Sequence, residues 1–158
     1  MMKIVQTSTV GTPMSEQKVR EFLGSKINLQ IATIDKNGDP IITPVWFYYD
    51  PDNERIYVIT SKTSQKAANI RRKNQVYFNL DEDAFPMRCA KGKAKANISE
   101  DPKFNVSVVR KMVLKYLGDT ENPTAKQMLD NAGSSDSALI ELTPLYYSAW
   151  DFTKTVES

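Results

Sequence analysis

The sequence predicts a mainly β domain (α+β), folded as a closed or nearly closed antiparallel barrel of about six strands with flanking helices. Stretches of alternating apolar and polar residues, typical of half-buried strands, recur along the chain. The turns between them are short and contain Gly, Pro and Asn, as antiparallel hairpins require. The chain has 158 residues, 41% hydrophobic and 25% charged, which suits one ordinary core. We expect a barrel rather than an open sheet because closure leaves no strand edge unpaired.

The first half of the chain predicts an arm, one helix and a β-meander. Residues 1–13 form the N-terminal arm, and residues 14–158 form the domain. Ser15 is a good helix N-cap, and Gly24 is a natural end for the helix that it starts. Strands are predicted at 29–35, 41–50 and 55–61, with turns at 36–39, where Asn-Gly supplies positive φ angles, and at 51–53.

The second half combines three helices with three further strands. Thr63 or Ser64 caps a short helix that ends near Lys73. A longer helix with Pro102 in its first turn ends at Gly118. The remaining elements are strands at 75–80, 88–96 and 138–152 and a short helix from Thr124. Pro144 interrupts the last strand, which should therefore be bent or lie at an edge.

The composition excludes several classes of site. The chain has no histidine, so it has no Ser-His-Asp triad, no Cys-His pair and no His-ligated zinc or haem. Cys89 is the only cysteine, which excludes an internal disulfide and a cysteine metal cluster. The net charge of +2 argues against a nucleic-acid partner. We find no signal peptide and no apolar run of about 18 residues, so we expect a cytoplasmic protein without a membrane partner.

The strongest candidate site lies where the third strand leads into the next helix. Its polar and basic residues are Thr60, Ser61, Lys62, Ser64, Gln65 and Lys66. Helix N-terminal amides, hydroxyl donors and ammonium groups together favour binding of a phosphate. The pattern alone fits equally well an ordinary capped helix with solvated lysines. The basic run from Lys62 to Lys73 could also contact nucleic acid, although a solvated helix face explains its last three residues better.

A second candidate site is the segment Pro44-Val45-Trp46 in the second strand. Proline removes an amide from the strand ladder, so the backbone there should lie at an edge or a bulge. Free strand backbone beside a flat apolar side chain suits a planar heteroaromatic ring. The alternative is that Trp46 belongs to the core or to a dimer interface, and Trp150 has the same two interpretations.

Taken together, these motifs resemble the pyridoxamine 5′-phosphate oxidase-like split-barrel flavoproteins. The resemblance covers about residues 15–98 and 138–153. The matching segments are 31–33, 37–40, 43–47, 56–61, 64–71, 91–94 and 149–152.

The resemblance implies a six-stranded split β-barrel that forms a homodimer with FMN at the subunit interface. Ser64 and Lys66 would grip the cofactor phosphate, and Gln65 stands where many members have Arg. Three neighbours, Thr60, Ser61 and Lys62, would line the phosphate and the ribityl chain, and Pro44, Val45 and Trp46 would lie along the flavin ring. Arg88 and Trp150 would approach from the second subunit.

The resemblance therefore implies a flavin-binding oxidoreductase that acts on an unidentified small molecule, with no side chain assigned as catalyst. The Arg-x-His element of true pyridoxamine phosphate oxidases is missing, so oxidation of vitamin B6 is not expected. One alternative on the same fold is a reductase that uses a deazaflavin coenzyme, with Lys62, Arg71 and Arg72 holding its longer acidic tail. The other is a non-catalytic binding module, either a flavin carrier or sensor or a nucleic-acid-binding barrel.

Overall fold

The computed structural model describes residues 2–6 and 11–153 of the chain. Within those residues, none of the helices is both long and apolar enough to cross a membrane. The elements in chain order are β1 (Thr12–Pro13), α1 (Glu16–Leu23), β2 (Leu29–Ile34), β3 (Pro40–Val45), β4 (Tyr48–Asp50), β5 (Arg55–Ser61), α2 (Gln65–Arg72), β6 (Gln75–Asp81), β7 (Arg88–Ser99), α3 (Pro102–Leu117), α4 (Pro123–Ala132) and β8 (Ser137–Asp151).

The strands form one antiparallel sheet that curls into a half-barrel. The strand order is β3-β2-β6-β7-β8-β5-β4, and β1 pairs with the end of β8. The two ends of this path, β3 and β4, are separated in the chain only by Trp46 and Phe47. The sheet must therefore curl until its two ends approach each other. The predicted split barrel is confirmed, but the described residues contain eight strands rather than six.

Two differences account for the larger number of strands. The strand predicted at 41–50 is broken at Trp46 and Phe47, which gives β3 and β4. The backbone of Phe47 bonds instead to side chains of α3, as described below. In addition, Thr12 and Pro13 pair with Asp151 and Trp150, so the end of the predicted arm joins the sheet. Ile4 of the arm bridges to Tyr147, while residues 1 and 7–10 lie outside the described residues.

The helix boundaries follow the predicted caps. The Ser15 hydroxyl accepts from the Lys18 amide at 3.3 Å, and the Ser64 hydroxyl accepts from the Ala67 amide at 3.1 Å. Gly118 ends α3 in the left-handed conformation, with φ at +80°. These three ends confirm that local chemistry sets where α1, α2 and α3 begin or end.

The turn after β2 and the interruption of the last strand were both predicted, and the turn differs from the prediction in one detail. In the turn after β2 only Gly38 has a positive φ, at +88°, and the Asp35 amide donates to the Asp39 carbonyl at 2.9 Å. The expectation of positive φ at both residues of the Asn-Gly pair is therefore wrong for Asn37. The β7–β8 ladder shifts register between Lys93 and Ala94, opposite Pro144, which confirms the predicted interruption of the last strand.

Apolar packing divides into two regions. The barrel interior is filled by side chains with no exposed surface, such as Phe22, Ile31, Phe47, Leu80 and Ile140. A second cluster joins α3 to α4 through Val109, Val113, Ala125 and Ala132, and Ile59 of β5 packs against it. The α3–α4 pair therefore covers β5, and the last turn of α3 reaches the junction between β3 and β4.

Candidate functional site

The N-terminus of α2 carries two hydrogen-bonded pairs of hydroxyl groups, which we call the hydroxyl set. Thr60 donates from Oγ1 to Ser64 Oγ at 2.9 Å, and the Ser61 and Thr63 hydroxyls lie 2.9 Å apart. Ser64 caps the helix through the Ala67 amide, so its own proton remains available to a ligand. In the described part of the chain, the amides of Gln65 and Lys66 have no acceptor. The structure therefore brings most of the predicted phosphate-binding residues together.

Lys66 is the positively charged residue in the first turn of the same helix, α2. Its side chain is partly buried, and burial lowers the pKa of its ammonium group from the ordinary value. Among the described residues, no carboxylate forms an ion pair with Lys66. By contrast, Arg71 bonds to Glu100 at 2.9 Å and to the Lys62 carbonyl at 2.6 Å. Lys66 is thus a partly desolvated cation in the first turn of a helix whose first amides lack acceptors, a combination that favours an anion.

A buried polar contact fixes α2 against the sheet. Asn69 on α2 donates from Nδ2 to Thr33 Oγ1 on β2 at 3.0 Å, and both side chains are buried. Arg72 donates to the Ile34 carbonyl at 2.6 Å, which ties the end of the same helix to β2. Breaking a buried hydrogen bond of this kind would leave unpaired polar atoms. The position of the hydroxyl set is therefore determined by tertiary contacts as well as by the helix cap.

The segment Pro44-Val45-Trp46 ends β3, which is an end strand of the sheet. Pro44 pairs with Gln30 on β2 and has no second neighbouring strand on the sheet path, so its missing amide breaks no ladder there. The Trp46 ring stacks on Tyr116 of α3 with centroids 4.5 Å apart and planes at 2°. Trp46 is still partly exposed and borders a cavity of about 530 Å³. One ring face therefore packs inside the protein, as the core interpretation of this residue requires.

Arg88 on β7 and Trp150 on β8 lie at the end of the β7–β8 pair that is remote from the hydroxyl set. Trp150 pairs with Cys89, whereas Thr60 pairs with Ala138 near the start of β8. Arg88 forms an ion pair with Glu82, which raises the pKa of Arg88, and the Lys91 ammonium lies 5.6 Å from the Trp150 ring centre. Within one chain these two residues are not part of the site at α2, so they could join it only from a second subunit.

Comparison with known proteins decides the family. A sequence model described as pyridoxamine 5′-phosphate oxidase matches residues 15–151, which is most of the chain. The chain belongs to the pyridoxamine 5′-phosphate oxidase family. Among curated protein sequences, none matches significantly.

Solved structures with this family fold are similar to the chain over most of its length. A conserved hypothetical protein from Mycobacterium tuberculosis is 25% identical, with a TM-score of 0.81 over 96% of this chain and 93% of that one. An F420 reductase is 22% identical, with a TM-score of 0.64 over 82% of this chain and 94% of that one. HutZ, the heme storage protein from Vibrio cholerae, is 21% identical, with a TM-score of 0.65 over 86% and 93%. The last two likenesses concern the fold alone.

The other potentially reactive side chains among the described residues do not form a further candidate site. Burial raises the pKa of the Cys89 thiol. Glu82 is engaged by Arg88, which lowers the pKa of the Glu82 carboxyl. No group of three potential metal ligands occurs among residues 2–6 and 11–153. These observations leave the two segments predicted from the sequence as the candidate site.

Sequence reasoning missed two residues beside the predicted flavin strand. Lys115 and Tyr116, in the last turn of α3, contact Phe47 and Trp46. In the sequence, Tyr116 follows Val109, Met112 and Val113 at helical spacing, but an apolar stripe of this kind does not show which strand it covers. Lys115 gave no signal, because lysine in the last turn of a helix is ordinarily a solvated partner of the helix dipole.

Proposed function

We propose that this chain binds FMN, with the cofactor phosphate at the N-terminus of α2, and acts as an oxidoreductase on an unidentified small molecule. One observation carries the proposal: Lys66 is partly buried, has no carboxylate partner among the described residues, and lies in the first turn of a capped helix. A phosphate would supply the missing negative charge. The family match supports this assignment at the level of the fold.

The residues at α2 suit a phosphate group. Ser64 offers a hydroxyl proton, the amides of Gln65 and Lys66 offer two further donors, and Lys66 offers charge. Thr60 orients the Ser64 hydroxyl by donating to it at 2.9 Å. Gln65 adds no charge, so we expect weaker binding than in a site with arginine at this position.

When bound, FMN supplies hydride transfer through its ring system, and the protein supplies binding, orientation and electrostatics. The Pro44-Val45-Trp46 segment would lie along the ring, where the edge position of β3 leaves backbone groups accessible. Trp46 would limit the access of water to the ring from its side of the pocket. We assign no side chain a proton-transfer role.

We further propose that two copies associate, with the cofactor between them. The outer face of the sheet carries exposed apolar side chains, with Ile42 at 66% and Tyr77 at 51% exposure. A shallow cavity of about 340 Å³, bordered by these two residues and Tyr146, lies on that face. A second subunit on this face would bury the apolar surface and could bring its Arg88 and Trp150 to the site.

A deazaflavin coenzyme is the second candidate, but the basic residues assigned to its tail are largely occupied. Arg71 is held by Glu100 and the Lys62 carbonyl, and Arg72 by Ile34 and Asn69. Only Lys62 of that set has no side-chain partner among the described residues. This favours FMN, whose single phosphate needs one cationic subsite.

The test is a titration of flavin-free protein with FMN, followed by absorption and by quenching of flavin fluorescence. We expect a retained two-band flavin spectrum, and we expect Lys66→Ala to weaken binding by about tenfold or more, as loss of a charged hydrogen bond does. Lys73→Ala is the matched control, because this exposed lysine lies at the opposite end of α2. Equal FMN affinity in the two variants would show that the phosphate site is misplaced.

The same titration separates the alternatives. A colourless protein that rejects FMN but binds the deazaflavin coenzyme would favour the second candidate. Binding to DNA or RNA with steep salt dependence and no flavin would favour the nucleic-acid module. FMN that is retained but is not reduced by any tested electron donor would favour a carrier or sensor.

A further inference from the structure

The junction between β3 and β4 is held by two side chains of α3. Phe47 is fully buried and leaves the strand ladder, so its backbone amide and carbonyl need other partners. The Phe47 amide donates to the Tyr116 hydroxyl at 3.3 Å, and the Phe47 carbonyl accepts from Lys115 Nζ at 3.2 Å. Lys115 and Tyr116, which are adjacent in α3, therefore provide the hydrogen-bond partners for both the carbonyl and the amide of Phe47.

Tyr116 links this junction to two further points of the fold. Its hydroxyl donates to the Ile27 carbonyl at 2.7 Å, just before β2, while it accepts from Phe47. Its ring stacks on Trp46 with parallel planes. Because β2 and β3 are hydrogen-bonded neighbours, Tyr116 fixes Trp46 relative to the strand beside it.

Lys115 is held in an aromatic environment. Its ammonium lies 3.5 Å from the ring centre of Phe47 and 4.9 Å from that of Tyr116. Burial alone lowers the pKa of Lys115 to about 7. Other ionisable groups nearby are Tyr116 beside it and, one turn earlier on α3, Lys111, whose ammonium lies 5.4 Å from the ring centre of Tyr48 on β4. The cavity that Trp46 and Tyr116 border is also lined by charged side chains, namely Lys26, Asp81, Glu82 and Asp83.

We propose that Lys115 and Tyr116 are positioning residues for the flavin ring: by holding the Phe47 peptide they fix Trp46 at the end of the Pro44–Trp46 segment. The effect on cofactor binding rests on the proposed function. Its structural part, control of Trp46 by α3, stands on the contacts themselves. The segment that would line the ring has no strand beyond it on one side, so the α3 contacts take the place of a neighbouring strand.

Protonation of Lys115 should weaken this arrangement. The two rings and the Phe47 carbonyl attract the charged ammonium, but the ammonium loses more hydration on burial than a neutral amine. The lowered pKa of Lys115 indicates that the loss of hydration prevails, so acid favours movement of the side chain towards water. The Phe47 carbonyl would then lose its partner. Trp46 should report the change directly, because its ring is stacked on the residue next to Lys115 in the helix.

The first measurement is the fluorescence of Trp46 against pH, without flavin, in a Trp150→Phe background where Trp46 is the only tryptophan. We expect the emission to titrate with a midpoint near pH 7, the pKa of Lys115. Adding Lys115→Met should abolish the transition, whereas Lys111→Met, the exposed lysine one turn earlier, should leave it in place. Circular dichroism checks that each variant is folded.

The second measurement is FMN affinity at pH 8 with Trp150 present. We expect Lys115→Met and Tyr116→Phe each to raise the dissociation constant about three- to tenfold, the effect of losing one hydrogen bond. Lys111→Met should bind like the wild type. If Lys115→Met does not fold, Tyr116→Phe and the wild-type pH profile still decide the matter.

The outcomes are distinguishable. A flat Trp46 profile in the Trp150→Phe protein, or identical profiles for the Lys115 and Lys111 variants, would overturn the role of Lys115. Unchanged FMN affinity in both Lys115→Met and Tyr116→Phe would overturn positioning of the ring. If even the wild type binds no FMN, the proposed function fails, while the fluorescence titration still tests the hold of α3 on Trp46.

Discussion

At the residue scale, two lysines acquire unusual environments in different ways. Lys66 was predictable, because a Ser-x-Lys pattern after a strand places it beside a helix N-terminus. Lys115 was not, because its burial depends on Phe47, which is 68 positions away in the chain. A local pattern can indicate the first kind of environment, whereas the second exists only once the sheet and α3 are packed.

Lys115 should make stability depend on pH. Between about pH 7 and the ordinary lysine pKa of 10.5, the unfolded chain holds a proton on Lys115 that the folded chain has released. Raising the pH across this range therefore favours the folded state. We expect the free energy of unfolding to rise by about 1–2 kcal/mol more in the wild type than in Lys115→Met, after allowance for partial solvent exposure.

Urea denaturation at pH 7 and pH 9.5 measures this difference. Lys111→Met is again the control, because it should keep the wild-type pH dependence. A Lys115→Met protein whose stability changes with pH as much as that of the wild type would place the titration elsewhere.

At the scale of elements, the helices were predicted better than the strands. Ser15, Ser64 and Gly118 mark helix ends through bonds within their own turns, so neighbouring residues contain the whole signal. The break in the strand predicted at 41–50 depends on Tyr116 and Lys115 instead. The residues around Phe47 alone favour a continuous strand, since they are aromatic and β-branched.

The caps of α1 and α2 provide a matched pair of variants. Ser15→Ala and Ser64→Ala each remove one cap hydrogen bond, and each should lower the free energy of unfolding by about 1 kcal/mol. Only Ser64→Ala should also weaken FMN binding, because Ser64 lies beside Lys66 in the proposed phosphate site. Thermal melts and flavin titrations of both variants test this.

Equal flavin affinities in the two cap variants would count against a phosphate at α2. Loss of affinity in both would mean that general stability, rather than the Ser64 hydroxyl, controls binding.

At the scale of the whole molecule, the sequence predicted a barrel but not the source of every site residue. The meander and its turns imply an antiparallel sheet that can close. The pairing register, however, puts Trp150, and Arg88 on the neighbouring β7, at the opposite end of β8 from the residue that pairs with Thr60. The family resemblance assigned those two residues to a second subunit, and nothing in their local sequence could have done so.

The proposed homodimer can be tested on its exposed face. Ile42→Glu should disrupt it, because a charge would be buried against the second subunit without a partner. We expect this variant to elute as a monomer in size-exclusion chromatography with light scattering, and to bind FMN more weakly. Leu114→Glu is the control: Leu114 is 48% exposed but lies on α3, outside the proposed interface.

A wild-type chain that is monomeric at micromolar concentration would contradict the dimer directly. So would an Ile42→Glu variant that keeps the wild-type mass.

The central place of β8 has a consequence for how the molecule is made. Without β8, the sheet separates into a β3-β2-β6-β7 group and a β5-β4 hairpin, since only β8 joins β7 to β5. It is also the last of these strands to leave the ribosome, so until then the nascent chain can form at most two partial sheets with open edges. Completion of the barrel must wait for the final strand, and synthesis rather than local propensity sets the earliest moment at which the proposed binding site can exist.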